Sequence, residues 1–227
     1  QQDIKALRCV RTRLVQNRTA TINQMRSLAS EYGVIFPVGR LKLQATLLET
    51  LEDAANGLSF ILRALLKSQY EDLTALNIRI DAIDNEIKTL CKSKPRYQAL
   101  LSIPGVGPIV AASFMSEVGT GIQFKNGRQL SAWCGLVPTQ SSSGGKIRLG
   151  GITKNGCSDL RVLLIHGARA VSRFALKRED ELGRWFNALS DRRGKHKAIV
   201  ALANKLARIA WHILTGEADF SAKKAFA

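Results

Sequence analysis

The stretch Leu73-Thr-Ala-Leu-Asn-Ile-Arg-Ile-Asp-Ala-Ile-Asp-Asn-Glu-Ile-Lys-Thr-Leu90 carries the strongest periodic signal in the chain. Its apolar residues recur in steps of three and four, at Leu73, Leu76, Ile80, Ile83, Ile87 and Leu90. This heptad spacing predicts a long helix with one apolar seam. The rest of its surface is mixed in charge, which favours an assembly element over a nucleic-acid face. Two partners for the seam stay open: an intramolecular hairpin with residues 41–56, or a second copy of the chain.

Helical patterns continue on the N-terminal side of this stretch. Residues 3–31 predict a basic helix, because apolar positions recur at helical spacing while the other faces carry cations of nearly uniform sign. Such a face suits contact with a phosphate backbone. A break near residues 32–39 and a short amphipathic helix over 41–56 follow. The long helix should end before Pro95, since proline disfavours helix in the residue that precedes it.

The second half of the chain also reads as mainly helical. Apolar periodicity predicts helices over residues 128–134, 158–176 and 198–214, with a small strand over 147–153. The run Arg192–Lys197 predicts a basic loop. Aromatic residues make up only 6% of the chain, which suits a helical protein better than a β-sandwich. The expected fold class is therefore mainly α, with a small β element.

The charge of the chain narrows its partners. Lys and Arg number 34 against 18 Asp and Glu, for a net charge of +16. This excess favours a polyanionic partner, with nucleic acid the first choice and an acidic membrane the second. No segment reaches the roughly 20 apolar residues that span a bilayer. The four scattered cysteines form no zinc-site spacing, and we expect reduced thiols in a cytosolic protein. The polar start predicts no signal peptide, and the lack of an initial Met suggests a piece of a longer protein.

The segment Leu101-Ser-Ile-Pro-Gly-Val-Gly-Pro-Ile-Val-Ala-Ala112 has the form of a helix-hairpin-helix. In such motifs the glycine turn exposes backbone N–H groups that bind a phosphate without reading bases. Gly105 and Gly107 are the residues that would do so here. A dinucleotide-binding turn is excluded, because Val110 stands where the third glycine belongs. A plain glycine-rich connection between two helices stays open.

The segment Pro138-Thr-Gln-Ser-Ser-Ser-Gly-Gly-Lys-Ile-Arg148 places three serine hydroxyls beside two glycines and two cations. Glycines allow close approach to a ligand, and Lys146 and Arg148 suit an anionic one. The segment therefore predicts either a serine presented to a phosphate or a solvated serine–glycine loop with a basic rim. A Walker loop is excluded, because Gln140 stands in place of its first glycine and Ile147 in place of its Ser or Thr.

The order of these motifs resembles the C-terminal transposase domain of insertion-sequence family 110, which includes the IS116 and IS902 relatives and the Piv-type invertases. The motifs that carry the resemblance are Leu101–Pro108, Trp133–Pro138, Ser142–Lys146, Gly151–Gly156 and Leu160–Arg169, with Gln1–Leu7 and Arg11–Thr19 near the start. Three segments are expected: a basic helix and linker over 1–40, a helical hairpin or coiled coil over 41–98, and the C-terminal transposase domain over 99–227.

The resemblance implies a recombinase with a serine nucleophile. That serine corresponds to Ser143, five positions after Pro138, with Ser142 as the runner-up. The family pairs it with a RuvC-like domain whose acidic residues imply Mg²⁺; this set would lie upstream of residue 1, so we expect no metal site in this chain and no activity from it alone. The residues expected to bind DNA or phosphate are Gly105, Gly107, Gly144, Gly145, Lys146, Arg148, Lys154, Arg161 and Arg169.

The resemblance further implies DNA and a guide (bridge) RNA as partners, a homo-oligomer such as a dimer or tetramer, and a place at the bacterial nucleoid in the cytoplasm. Two readings without catalysis stay open: a DNA-binding helical module and a structural RNA-binding protein. Either would need cations and backbone N–H groups at the serine segment but not the Ser143 hydroxyl.

Overall fold

The structure, a computed structural model, describes residues 1–216 and 220–226. Within them the chain forms ten α-helices and one two-stranded antiparallel sheet, which confirms the mainly α fold. The helices are α1 (Gln2–Glu31), α2 (Arg40–Glu52), α3 (Phe60–Lys92), α4 (Pro95–Leu101), α5 (Pro108–Ser113), α6 (Gly127–Trp133), α7 (Ser158–Ser172), α8 (Glu181–Arg193), α9 (Lys195–Thr215) and α10 (Ala222–Phe226). The strands are β1 (Pro138–Ser143) and β2 (Lys146–Ile152).

Local predictions were wrong in three segments of the chain, and helix α7, expected over 158–176, ends earlier, at Ser172. The serine segment is not a loop, because Ser141, Ser142 and Ser143 lie on β1 and pair with β2. The run Arg192–Lys197 is not a loop either: it contains the end of α8 and the start of α9, and Gly194 alone interrupts the helices. Helix α2 ends at Glu52 rather than at residue 56, because Asp53 adopts an extended backbone.

Packing divides the chain into two compact units. One contains Ala6–Glu86, and the other contains Gln1–Lys5 together with Ile87–Ala227. The three segments expected from the sequence are a separate division and stay a prediction.

Within the Ala6–Glu86 unit, α1 lies antiparallel to α3. Side-chain hydrogen bonds join Arg11 to Asp84, Arg18 to Asn77 at 3.2 Å, and Gln69 to Gln24 at 2.9 Å. Residues with increasing numbers on α1 bond residues with decreasing numbers on α3, as in two antiparallel helices. The heptad seam therefore has an intramolecular partner, and that partner includes α1 as well as the expected residues 41–56.

The buried core of this unit follows the heptad. Leu66, Leu73 and Ile80 are each no more than 2% exposed and stand seven residues apart. Leu43 and Leu47 of α2 share one apolar cluster with Leu66 and Leu73 of α3. Burial of these side chains, at roughly 25 cal/mol per Å² of apolar surface, is the main force that holds the three helices together.

The other unit is built around α9. This helix packs against α4, α6, α7 and α8. Its apolar stripe, which includes Leu202, Leu206 and Ala210, is fully buried. A separate close approach joins the α4–α5 connection to α7, where Gly105 faces Gly167. In the described part of the chain, no helix is long and apolar enough to cross a lipid bilayer.

Candidate nucleic-acid interface

The serine segment forms a two-residue β-hairpin that projects into solvent. Ser143 pairs directly with Lys146, and Gly144 and Gly145 form the turn between them. Both glycines have positive φ, 56° and 76°, which matches the turn type that suits the twist of a hairpin. Every residue of β1 is exposed, so the hydroxyls of Ser141–Ser143 are open to a macromolecular ligand.

The register divides the hairpin into two chemically different faces. Alternate residues on a strand share a face, and directly opposed residues share it too. Ser143 and Lys146 therefore lie on one face together with Ser141 and Arg148, which form the neighbouring pair on that side. This set, Ser141, Ser143, Lys146 and Arg148, is called the cationic face below.

The opposite face is mostly uncharged. Ser142 lies there beside Gln140, and the Nε2 of Gln140 donates a hydrogen bond of 3.0 Å to the Ser142 hydroxyl. Ile147 and Leu149 of β2 share this face. Of the two adjacent serines Ser142 and Ser143, only Ser143 shares a face with Lys146 and Arg148, as Ser141 does.

The base of the hairpin is tied to two helices. The Nδ2 of Asn204 on α9 donates to the carbonyl of Leu136 at 3.2 Å. The Nη1 of Arg161 on α7 donates to the carbonyls of Cys134 and Asn155, at 3.0 and 3.1 Å. Arg161 thus bridges the segments that enter and leave the hairpin. An exposed reactive group benefits from such an anchored base, because its position is then set by rigid elements.

Two further predicted site residues, Lys154 and Arg169, lie outside the hairpin. Lys154 is exposed, follows β2 by two residues, and has a positive φ of 58°, an uncommon backbone conformation for a side chain of this size. Its N–H bonds the carbonyl of Gly135 at 3.2 Å. Arg169 is exposed in the last turn of α7, farther along that helix than Arg161.

The two predicted glycines of the α4–α5 connection have unequal surroundings. A Cβ on Gly105 would lie 2.8 Å from the carbonyl oxygen of Gly167, whereas a Cβ on Gly107 would meet no atom of the described residues within 4 Å. Packing against α7 therefore accounts for a glycine at position 105. Binding of phosphate by either glycine stays a prediction.

The electrostatics of the hairpin favour an anion. Neither Lys146 nor Arg148 pairs with a carboxylate in the part of the chain that the structure describes. The hairpin sequence 138–152 contains no Asp, Glu or His, so no acidic side chain or imidazole of the hairpin itself can accept a serine proton. Just before β1, burial raises the pKa of the Cys134 thiol to about 12, with the neighbouring Cys157 adding to the shift. This thiol is a packed core group, not a nucleophile.

The described residues offer no donor set for a metal ion. Within 1–216 and 220–226, no group of three or more His, Cys, Asp and Glu side chains could hold an ion. The Mg²⁺ implied by the family resemblance does not fit these residues, and no chemical step on this chain is assigned to it.

Sequence reasoning missed residues on the polar face of α9. Asn204 anchors the hairpin, and Lys205 and Arg208 line cavities beside it. The sequence held a signal: polar positions 197, 204, 205, 208 and 212 recur at helical spacing. The apolar stripe alone predicts the helix, and it does not indicate the role of the polar face.

Known proteins match most of the chain. Residues 97–183, which include the whole hairpin, match the family described as Transposase IS116/IS110/IS902 family. The chain is 43% identical over 220 residues to the transposase for insertion sequence element IS1111A of Coxiella burnetii, covering 97% of this chain and 60% of that relative. It is 41% identical over 218 residues to a probable family 20 transposase of Pseudomonas aeruginosa, covering 96% and 64%.

A third relative gives the same picture. The transposase for insertion sequence element IS1328 of Yersinia enterocolitica is 36% identical over 221 residues, covering 97% of this chain and 65% of that protein. The chain therefore spans 60–65% of the length of these three curated relatives.

Proposed function

The chain belongs to the IS116/IS110/IS902 family of transposases, and from this premise we propose that it is the part of a DNA transposase that carries the nucleophile, Ser143. The reaction class is phosphoryl transfer on DNA, by which a strand is cut and rejoined. The family membership supports the general activity, and the hairpin supports the choice of residue.

The observation that carries the choice of Ser143 over Ser142 is the register of the hairpin. Ser143 stands directly opposite Lys146 on an exposed cationic face, whereas Ser142 is on the other face with its hydroxyl bonded to Gln140. Cations placed beside a phosphodiester stabilise the extra negative charge of its transition state. A phosphate approaching this face meets the Ser143 hydroxyl, Lys146 and Arg148 together.

The Oγ of Ser143 attacks phosphorus, a bond from phosphorus to one deoxyribose oxygen breaks, and a phosphoserine link forms between protein and DNA. The serine proton leaves to a base, and the released deoxyribose oxygen takes up a proton. Attack by a second DNA hydroxyl on the phosphoserine reverses the step and joins a new strand, so the energy of the original bond is conserved.

The base comes from outside the hairpin under this proposal. A serine hydroxyl is a weak nucleophile without activation, and residues 138–152 include no carboxylate or imidazole. We assign activation, and any acidic site that binds Mg²⁺, to the portion of the longer protein that the relatives have beyond this match. The 227 residues alone should then neither cleave nor join DNA.

The proposed partners follow from the same family. DNA is the substrate, and binding by this chain is electrostatic, with affinity that falls steeply as salt is raised. A guide RNA and assembly into a dimer or tetramer are parts of the same proposal, as is action at the bacterial nucleoid. The net charge of +16 supports a polyanionic partner of either kind.

The test is the formation of a covalent adduct. Full-length protein with its guide RNA is mixed with end-labelled DNA, resolved by denaturing electrophoresis, and the linked peptide is mapped. Ser143→Ala should abolish the adduct while DNA affinity stays within a few-fold, since one hydroxyl contributes little beside many phosphate contacts. Ser142→Ala, the matched control on the opposite face, should retain the adduct.

Two outcomes would contradict the proposal. An adduct that persists in Ser143→Ala and maps to Ser142 moves the nucleophile to the other face of the strand. Cleavage without linked protein in every variant favours hydrolysis elsewhere in the protein, and the hairpin is then a phosphate clamp within a binding module.

A further inference from the structure

Two adjoining cavities form a groove along α9, below the hairpin. The larger has a volume of about 1080 Å³ and runs between the polar face of α9 and the hairpin residues Leu149–Ile152. The smaller, of about 360 Å³, lies between α9 and the start of α6. Lys205, Arg208 and Lys224 line both cavities. These shared residues make the two cavities one continuous feature, called the α9 groove below.

The α9 groove is strongly basic. Besides its three shared cations, Arg128 lines the smaller cavity and Lys197 lines the larger one. No carboxylate lines either cavity among residues 1–216 and 220–226. A concave surface with cations of one sign concentrates the electrostatic field and attracts an anion with several charges.

Lys205 marks the centre of the α9 groove. Its ammonium nitrogen lies 4.8 Å from the ring centroid of Trp185 and 4.7 Å from that of Phe226. The two rings hold the flexible side chain in one place, so less of its freedom is lost when a ligand binds. Burial and the neighbouring Arg208 lower the pKa of Lys205, which means that an arriving anion would relieve the cost of its charge.

From this arrangement we infer that the α9 groove binds the phosphodiester backbone of a nucleic-acid strand, at a site separate from the cationic face of the hairpin. The groove is lined by Pro138 and Leu149–Ile152 of the hairpin, and none of the four residues of the cationic face lines it. The part of a strand that is bound in the groove is therefore not the part that would meet Ser143. The inference deepens the proposed function and rests on its nucleic-acid partner.

A phosphodiester backbone suits this groove better than an acidic peptide. The cations follow one helix over several turns, at positions 197, 205 and 208, and a backbone supplies a regular row of charges for such a line. Arg and Lys side chains are the usual positioning contacts to phosphate and carry no sequence information. DNA and RNA share this chemistry, so the experiment uses both.

The test compares two double variants with the same loss of charge. Lys224→Gln with Arg208→Gln removes two groove cations. Lys223→Gln with Arg192→Gln is the matched control, because these exposed residues lie on α10 and α8 but do not line the groove. The four side chains are all exposed, so both proteins should fold, and thermal unfolding checks this.

The probes are mixed-sequence duplex DNA and single-stranded RNA, with affinity measured across a salt series. The groove variant should lose more affinity than the control. Its log–log salt slope should flatten by about 0.9 per lost phosphate contact on duplex DNA, or about 0.7 on a single strand. The probe with the larger loss identifies which nucleic acid occupies the groove.

Three outcomes would overturn the inference. Equal losses in both variants mean that the effect is one of net charge, and only the groove assignment fails. An oligo-glutamate peptide that binds more tightly than either nucleic acid and depends on Lys224 and Arg208 assigns the groove to an acidic protein. Absence of any salt-dependent binding by the unmodified protein removes the nucleic-acid partner, and the proposed function then fails with it.

Discussion

The glycine turn between α4 and α5 and the glycine turn of the hairpin look alike in sequence but have different surroundings. A Cβ on Gly105 would stand 2.8 Å from the backbone oxygen of Gly167 and 3.0 Å from the Val171 side chain. A Cβ on Gly144 or Gly145 would meet nothing within 4 Å in the part of the chain that the structure describes. The first turn is compressed against a helix, and the second is surrounded by solvent.

The different surroundings of the two turns indicate different roles: the α4–α5 turn contributes to stability, and the hairpin turn is available for chemistry. The α4–α5 turn needs a glycine because two backbones meet there, so its sequence is set by packing. The hairpin turn needs glycines only for their positive φ, and its cations and hydroxyls are free to serve a ligand. A side chain added at Gly105 should therefore destabilise the protein, and changes at the second turn should alter the hairpin alone.

The largest effect is expected from Gly105→Ala. The new methyl group would overlap the Gly167 backbone, and the φ of 87° would be strained as well. Overpacking of this kind costs about 3 kcal/mol, which corresponds to a fall in Tm of roughly 6–12 °C for a chain of this size. Calorimetry measures it.

Gly107→Ala is the matched control, two residues away in the same turn. Its φ of −88° is open to any residue, and among residues 1–216 and 220–226 no atom lies within 4 Å of the added Cβ. Its Tm should stay at the starting value. Equal Tm values for the two variants would show that the close approach of Gly105 to Gly167 does not matter for stability.

An intermediate effect is expected from the buried thiol just before the hairpin. The pKa of Cys134 is raised to about 12, so between its ordinary pKa and this value the unfolded chain releases a proton that the folded chain keeps. The free energy of unfolding should thus be unaffected at neutral pH and fall above about pH 9, by at most about 1.4 kcal/mol per pH unit from this group.

Urea unfolding of Cys134→Ala across this alkaline range checks the prediction. The variant starts less stable, because a buried group is lost, but its stability should fall less steeply with pH than that of the unmodified protein. Cys9→Ala is the control, because it removes an exposed thiol. An unchanged alkaline slope in Cys134→Ala would mean that this thiol is not the group responsible.

Sequence periodicity was sufficient for the long helices. Helix α1 was expected over residues 3–31 and spans Gln2–Glu31, and α9 was expected over 198–214 and spans Lys195–Thr215. The apolar positions of each helix repeat over many turns, so the periodic pattern stays clear even where single positions depart from it. The sequence pattern did not predict helix α8. The basic run Arg192–Lys197 predicts a loop, but one glycine, Gly194, is enough to separate α8 from α9.

The candidate site was only partly visible in the sequence. Composition marked Ser141–Arg148 as unusual, and family resemblance selected Ser143. The two faces of the hairpin required the register, because a shift of one residue would exchange Ser142 for Ser143 beside the cations. The α9 groove depends on Arg128, Trp185 and Lys224 coming together from α6, α8 and α10, and no local pattern contains that information.

The smallest effect on global stability is expected from Gly144→Ala. Alanine at a φ of 56° is strained by about 1–2 kcal/mol, but its Cβ would contact none of the described residues, so the strain stays within the turn. The hairpin should open more often, with faster amide exchange over residues 140–148, while Tm stays unchanged. Gly144→Asn is the matched control. Asparagine tolerates positive φ, and Asn-Gly is a favoured pair for this turn, so exchange should return to its starting rate.

The same pair of variants also tests the chemistry, because a mobile turn misplaces Ser143 relative to Lys146. Adduct formation should drop in Gly144→Ala and recover in Gly144→Asn. A fall in Tm as large as that of Gly105→Ala would make the hairpin an integral part of the core, and the contrast between the two turns would not hold.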